Sequence, residues 1–398
     1  MLERKSLTVV MLVMFLTMTG FGIVLPSLPY LAERLHLSSF QMGSLITGWA
    51  LAQFLITPIW GRVIDRFGKK QVLLIGMLSF GITLIMTPFM PTYLPLIIIR
   101  IIGSSLAAGS IPAALTIVAE SSVPELRSAL IAKMGAVNSL GFLCGPVIGG
   151  ILLPLGVNAP FLGGGIISLC ILPFIWIYIK EPKMKQNQLM EKELSFFQSI
   201  SMVSKVGYRE LFIPSFGQSL AASSLLGMLG YFMIDKFSAH PWQVSLGFSV
   251  FAAGSAIVQF FLLPLIYQKK PDNWIAKFGF CISALGYAGI ALAPIPMLVI
   301  LACGVSGVGM AFVRPTILSL LSKQEHMGRG ITMALDQSMD SLGRVLGPLL
   351  GGVIYSLHSS LPFYVSAIVC LCMLLMINSS SRNLKGAWSM PKQKVFKG

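Results

Sequence analysis

The chain is poor in charge: Asp, Glu, Lys and Arg make up 11% of its 398 residues, against roughly 25% in an ordinary soluble domain. It has six cysteines (Cys144, Cys170, Cys281, Cys303, Cys370 and Cys372), all inside apolar stretches, which argues against a disulfide framework or a thiolate metal centre. Its four histidines (His36, His240, His326 and His358) stand singly near the ends of such stretches. An enzyme would need a convergent nucleophile and base or a metal cluster, and none is visible. No G-x-x-x-x-G-K-[ST] loop occurs, so ATP drive is not expected. Period-two alternation, which a transmembrane barrel requires, is missing as well. No metal and no cofactor are expected.

Hydrophobic residues fill 55% of the chain, and the mean hydropathy is +0.82. A bilayer-spanning helix needs about 20 mostly apolar residues. Twelve such runs can be placed, at 7–30, 40–60, 71–91, 94–119, 129–154, 160–179, 210–234, 242–267, 275–293, 296–321, 330–356 and 361–378. Helices satisfy their own backbone polar groups in lipid, so the sequence predicts an all-α integral membrane protein of 12 transmembrane helices. The basic start and apolar run at the N-terminus resemble a signal peptide, but the run continues past residue 20 without an A-x-A-like site and reads as the first span.

The net charge of +15 is explained by topology. With the N-terminus cytoplasmic, only Arg34 and Lys236 of the loop cations fall outside, and Arg100, Arg314 and Arg344 lie within spans. This bias predicts that both ends are cytoplasmic and requires no nucleic-acid partner; the expected location is the cell's inner (plasma) membrane.

The segment SLGFLCGPVIGG (139–150) returns as SLGRVLGPLLGG (341–352), 202 residues later. Arg127 and Arg329 keep the same offset, each in a short basic loop before its span. The sequence therefore predicts two six-helix repeats, of the parallel kind that places a binding site at the repeat interface. The expected divisions are 1–179 for the first bundle, 180–209 for a cytoplasmic linker, 210–380 for the second bundle and 381–398 for a cytoplasmic tail. In the linker, Phe196, Phe197, Ile200 and Val203 share one helical face, which suits either a helix lying on the inner membrane surface or a flexible connector.

Between the second and third spans, GRVIDRFGKK places Gly61, Asp65, Arg66, Gly68, Lys69 and Lys70 in the Gly-x-x-x-Asp-Arg-x-Gly-Arg/Lys-Arg/Lys pattern. Here the chain resembles the major facilitator superfamily. Glycines permit a tight turn, Asp65 can receive a helix N-terminus or an arginine, and the cations face the anionic leaflet. Such a contact can latch the two bundles in one state and release in the other. The second half keeps Lys269, Lys270 and Asp272 without the glycines, so any latch is asymmetric.

The fourth span's Arg100, followed by small residues, resembles the family's second motif, which implies a link to proton coupling in antiporters. A cation within a span should face the bundle interior and have a partner; near the outer interface it would snorkel instead. Gly141, Gly145, Pro146, Gly149 and Gly150 match the exporter motif of the fifth span. Glycines at four-residue spacing let helices approach closely and Pro146 bends the helix, so this span is expected to seal the cavity on one side. The first span's GFGIVLPSLP resembles the twelve-span drug/proton antiporter group, and Pro26 and Pro29 are expected to bend or end it.

The second copy gains charge. Asp336, Asp340 and Arg344 fall on one helical face, with Arg314 the nearest further cation in sequence, so this group is expected either to carry the coupling proton or to form a structural ion-pair network. No acid lies in the interior of a first-half span, where several exporters of this group have one, and the arginines suit an anionic substrate equally. Gln53, Asn138, Gln218 and Gln259 supply neutral polarity for a substrate cavity, and Met and Phe supply an adaptable apolar lining.

The resemblance implies a proton-coupled exporter of small amphipathic or lipophilic compounds, and a monomer is expected. Its partners are expected to be a small-molecule substrate, protons and membrane lipids. The alternatives are a transporter of a specific metabolite (sugar, organic anion or siderophore) and, more distantly, a receptor or scaffold.

Overall fold

The computed structural model describes residues 4–121, 124–179, 209–322 and 329–387. The amphipathic face proposed for residues 196–203 and the tail beyond 387 lie outside them, as does most of the loop before Arg329. No strand occurs among the described residues.

The first half contains α1 (Arg4–Arg34), α2 (Ser39–Phe67), α3 (Lys69–Met86), α4 (Tyr93–Ala107), α5 (Ser110–Ser121), α6 (Pro124–Leu152), α7 (Ala159–Cys170) and α8 (Leu172–Tyr178). The second contains α9 (Arg209–Phe237), α10 (Pro241–Ile257), α11 (Leu263–Tyr267), α12 (Asp272–Leu292), α13 (Pro296–Ser322), α14 (Arg329–Tyr355) and α15 (Leu361–Ala387). Ten helical stretches among the described residues are long and apolar enough to cross a membrane, and Leu361–Ile377 is a shorter apolar one. The remaining crossing is α14, which holds Asp336, Asp340 and Arg344.

Three crossings are irregular, and each contains a proline, which removes a helical N–H and crowds the preceding turn. Pro112 follows the break between α4 and α5, Pro173 follows the break between α7 and α8, and Pro264 follows a π-helical turn over Val258–Leu262. Of the two outcomes expected of Pro26 and Pro29, ending the first span does not occur: α1 continues past both to Arg34.

The repeated glycines act where backbones meet. A β-carbon at Gly141 would lie 2.4 Å from the Phe15 carbonyl oxygen, and one at Gly145 would lie 2.5 Å from Gly22 Cα, so α6 rests directly on α1. In the second half, a β-carbon at Gly343 would lie 2.7 Å from the Phe216 oxygen and one at Gly347 would lie 2.5 Å from the Leu220 oxygen. There α14 rests on α9 in the same way. Such approaches are closed to any larger residue without backbone movement.

The halves join at the end that carries the α1–α2 and α9–α10 turns. Along α2 and α14, a β-carbon at Gly43 would lie 2.2 Å from the Pro348 oxygen. On the same seam Ser39 Oγ donates to Gly352 O at 3.0 Å and Thr47 Oγ1 donates to Val345 O at 2.8 Å. Across the pseudo-equivalent seam, Gly150 of α6 meets Ser245 of α10. At the opposite end, Asp65, Arg66 and Phe67 are exposed and nothing lies within 4 Å of a β-carbon at Gly61.

Candidate functional site

Between the halves lies a cavity of about 420 Å³, lined from both sides. The first half contributes Phe21, Trp49, Phe80 and Phe142; Phe21 and Phe142 are stacked, with centroids 6.2 Å apart. The second half contributes Asp340, Arg344 and Arg314 together with Ser219, Phe251 and Met310. One wall is aromatic and the other charged.

The charged wall follows from the docking of α9 on α14. Ser215 and Ser219 are four residues apart on α9, as are Asp336 and Asp340 on α14, so the two ladders meet rung to rung. Ser215 Oγ donates to Asp336 Oδ1 at 2.6 Å, and Ser219 donates to Asp340 Oδ1. From α13, Arg314 reaches both acids, with 3.4 Å to Asp336 and 2.9 Å to Asp340, and it also donates to Ser215 Oγ at 3.2 Å. Arg344, one helical turn beyond Asp340, pairs with the other oxygen of that carboxylate. Two acids and two arginines make the group neutral when all are ionised, which keeps buried charges paired.

The two acids differ in what they face. Both are buried, yet Asp340 lines the cavity and Asp336 does not. The Arg344 side chain is 59% exposed and that of Arg314 26%, so the cations are the parts of the network most open to a solute.

Gln53, Asn138, Gln218 and Gln259 all line the cavity. Gln259 Nε2 donates to Ser255 Oγ at 3.1 Å and stands in the π-helical turn before Pro264. Asn138 Oδ1 and Gln218 Oε1 are buried acceptors without a hydrogen-bond partner. They can take a donor from a bound solute.

Arg100 is placed apart from this network. It is 4% exposed, and its guanidinium stands 4.6 Å from the Trp49 ring centroid, with Nε unpartnered. Ser104 Oγ donates to the Trp49 carbonyl at 2.6 Å and fixes that helix contact. Arg100 thus touches the aromatic wall through Trp49 and is not itself a lining residue.

The motif between α2 and α3 sits at the unjoined end. Gly68 has φ 94°, a conformation that favours glycine, and it alone separates the two helices. Lys70 Nζ donates to the Trp176 carbonyl at 2.6 Å and lies over that ring, while Arg66 lies over Phe67. Of the fifth-span motif, Gly141, Gly145 and Gly149 face α1 within their own half, and Gly150 faces α10 across the interface. Pro146 lies inside α6 without ending it.

Sequence reasoning missed Ser215, Ser219 and the aromatic pair Phe21 and Phe142. The serines did carry a signal, a four-residue spacing that matches that of the two aspartates. For the aromatics, nothing in the sequence separates lining rings from packing ones.

Comparisons with known proteins agree over nearly the full length. A family model described as Major Facilitator Superfamily matches residues 10–331 and 211–386. The chain is 25% identical over 371 residues to Multidrug resistance protein 1 of Bacillus subtilis, covering 92% of this chain and 94% of that one. It is 25% identical over 393 residues to Quinolone resistance protein NorA of Staphylococcus aureus, covering 94% and 96%. Among solved structures, a bacterial homolog of the human lysosomal transporter Spinster superposes with a TM-score of 0.80 at 14% identity, covering 97% of this chain and 98% of that one. The nucleoside transporter NupG superposes with a TM-score of 0.79 at 16% identity, covering 96% and 100%. The chain shares its helical fold with both solved transporters, and it belongs to the major facilitator superfamily.

Proposed function

We propose that the chain exports small amphipathic or lipophilic compounds from the cytoplasm in exchange for protons. The observation that carries this reading is the cavity itself, where an aromatic wall from the first half faces Asp340, Arg344 and Arg314 from the second. The names of the relatives, a multidrug resistance protein and a quinolone resistance protein, support the same substrate class. In this reading the chain spans the plasma membrane as a monomer, and the charge bias of the loops supports cytoplasmic termini. On that orientation the joined end is the outer one, and the cavity is held facing the cytoplasm.

In this reading Asp340 is the proton carrier and Asp336 a positioning residue. Asp340 is the acid that a solute in the cavity can reach, whereas Asp336 holds Arg314 from behind. When Asp340 takes a proton it ceases to hold Arg344 and Arg314, and the wall changes from neutral to cationic. A compound that donates to Asp340, Asn138 and Gln218 competes with that proton, which is the condition for exchange. Inward proton movement supplies about 2.3 kcal/mol per 100 mV of membrane potential. Alternating access then proceeds by rocking of the two six-helix halves, with residues 180–209 as their link and the 61–70 segment at the α2–α3 junction as the inner latch, open in this state.

A second reading, transport of a specific organic anion, draws on one observation: two arginines and one aspartate face the cavity. Proteoliposomes decide between them. Adding a lipophilic dye should release protons in step with dye uptake under the first reading. Dye movement unchanged after the proton gradient is collapsed would sink it, and saturable carboxylate uptake without dye uptake would favour the second.

A further inference from the structure

The joined end is built from two turns that match at the repeat offset. His36 between α1 and α2 and Ser238 between α9 and α10 are 202 residues apart, and both are non-glycine residues with positive φ, 52° and 48°. The glutamines that follow match as well: Gln41 Oε1 accepts from Ser38 N at 2.9 Å and Gln243 Oε1 accepts from His240 N at 2.8 Å. Each turn then presents the carbonyl of its next residue, Leu37 or Ala239, to the opposite half. Tyr30 OH, near the end of α1, donates to Ala239 O at 2.9 Å. Tyr231 OH, near the end of α9, donates to Leu37 O at 3.2 Å.

The acceptors are repeat mates, but the donors are not. The position equivalent to Tyr30 is Phe232, and the one equivalent to Tyr231 is Pro29. The same reciprocal bond is therefore made twice from different helix positions, which duplication alone does not supply. The Tyr231 ring is also braced: it stands edge-on to Tyr355 at 5.2 Å, and Tyr355 OH donates to Asp235 Oδ2 at 2.7 Å. Both acceptor residues are buried, at 6% and 5% exposure.

We propose that Tyr30 and Tyr231 form the exit gate, holding the outer end shut while the cavity faces the cytoplasm and releasing together when it opens. The inference rests on the proposed orientation and alternation of sides, but on neither the substrate nor the proton. Because hydroxyls donate to carbonyls, opening exposes no unpaired charge, and water satisfies all four groups on release. The two bonds anchor opposite halves to each other's turns, so breaking one leaves the other to hold the seam. The Ser39 and Thr47 bonds along α2 and α14 continue that seam inward from the gate.

The test reads accessibility from each side without requiring transport. Ala50 lines the cavity and is not part of the charged group, so an Ala50→Cys chain can be labelled with a membrane-impermeant maleimide in vesicles of either orientation, the rate of the unsubstituted chain being subtracted. Adding Tyr30→Phe and Tyr231→Phe together should raise labelling from the outer side by about tenfold, the effect of two modest hydrogen bonds, and lower it from the inner side. Each single change should give about threefold. These single variants serve if the double one does not fold. Tyr267→Phe, which breaks a bond to Thr316 within the second half, should leave both rates alone. Equal acceleration from both sides would mean general loosening, and no change from either would mean that the bonds do not gate; both outcomes overturn the proposal. Loss of proton exchange with opposite-sided labelling intact would overturn the transport reading and leave the gate standing.

Discussion

α6 and α14 stand 202 residues apart on one backbone plan, yet their cavity faces have opposite chemistry. Gly141 and Gly145 lie on α1 as Gly343 and Gly347 lie on α9. Facing the cavity, Asn138 occupies the position of Asp340, and Phe142 that of Arg344. Their neighbours changed with them: Phe21, which stacks on Phe142, corresponds to Ser223, whose hydroxyl donates to the Gly343 carbonyl at 2.9 Å. Thr17 and Ser219 are likewise equivalent, but only Ser219 has a carboxylate to donate to. Close backbone approach tolerates only glycine, so those positions stayed alike. The cavity-facing positions met no such demand and became an aromatic wall in one half and an ion-pair wall in the other.

Making the halves alike at the proposed carrier position should have the largest effect. Asp340→Asn gives α14 the residue that α6 already has and removes the acid that the cavity reaches. We expect concentrative export in proteoliposomes to fall at least about 100-fold, within the range seen when a positioned proton-transfer group is removed. Exchange of substrate down its own gradient should persist. Asp336→Asn should lower thermal stability through the lost partner of Arg314, and any export that survives should remain proton-coupled. Concentrative export by Asp340→Asn at the parental rate would reduce Asp340 to a structural role.

The sequence alone made much of this comparison visible. Charge scarcity and apolar runs were enough for the helical membrane plan, and the 202-residue offset announced the repeat. The four amides Gln53, Asn138, Gln218 and Gln259 stood out as polar groups within spans, and all four line the cavity. Side-chain rotation about helix axes was not legible. Periodicity put Asp336 and Asp340 on one face, but only the fold shows that Asp340 lines the cavity while Asp336 does not. Arg100 illustrates the same gap. It was expected to face the bundle interior with a partner, the family motif linking it to proton coupling. Only the fold shows that the partner is the Trp49 ring, apart from the second half's charged group. The serine ladder was hidden because hydroxyls are common in apolar spans and announce no partner.

The shared part of the plan can be tested by damaging it equally in both halves. Gly145→Ala brings a β-carbon within 2.5 Å of Gly22 Cα, and Gly347→Ala brings one within 2.5 Å of the Leu220 oxygen. Each should cost about 1 to 3 kcal/mol, the usual penalty for overpacking where backbone must move. Thermal unfolding in detergent should show two similar losses. A large loss in one half beside none in the other would show that the two glycine stripes do not carry the same packing, and the equivalence drawn between them would fail.

The smallest expected effect separates the aromatic wall from the proton. Phe142→Ala removes the ring that stacks on Phe21 but leaves Asp340, Arg344 and Arg314 untouched. An aromatic contact of this kind is worth about 0.5 to 1.5 kcal/mol beyond its area, so the half-saturating concentration of an aromatic substrate should rise severalfold to about tenfold. The number of protons exchanged per substrate should not change, because no titratable group has moved. An aliphatic substrate of similar size should lose less, since it never used the ring face. If instead Phe142→Ala altered the proton count, the two walls would not be separable. Substrate and proton would then be read by a single set of contacts, and the divergence of α6 from α14 could not be a division of labour.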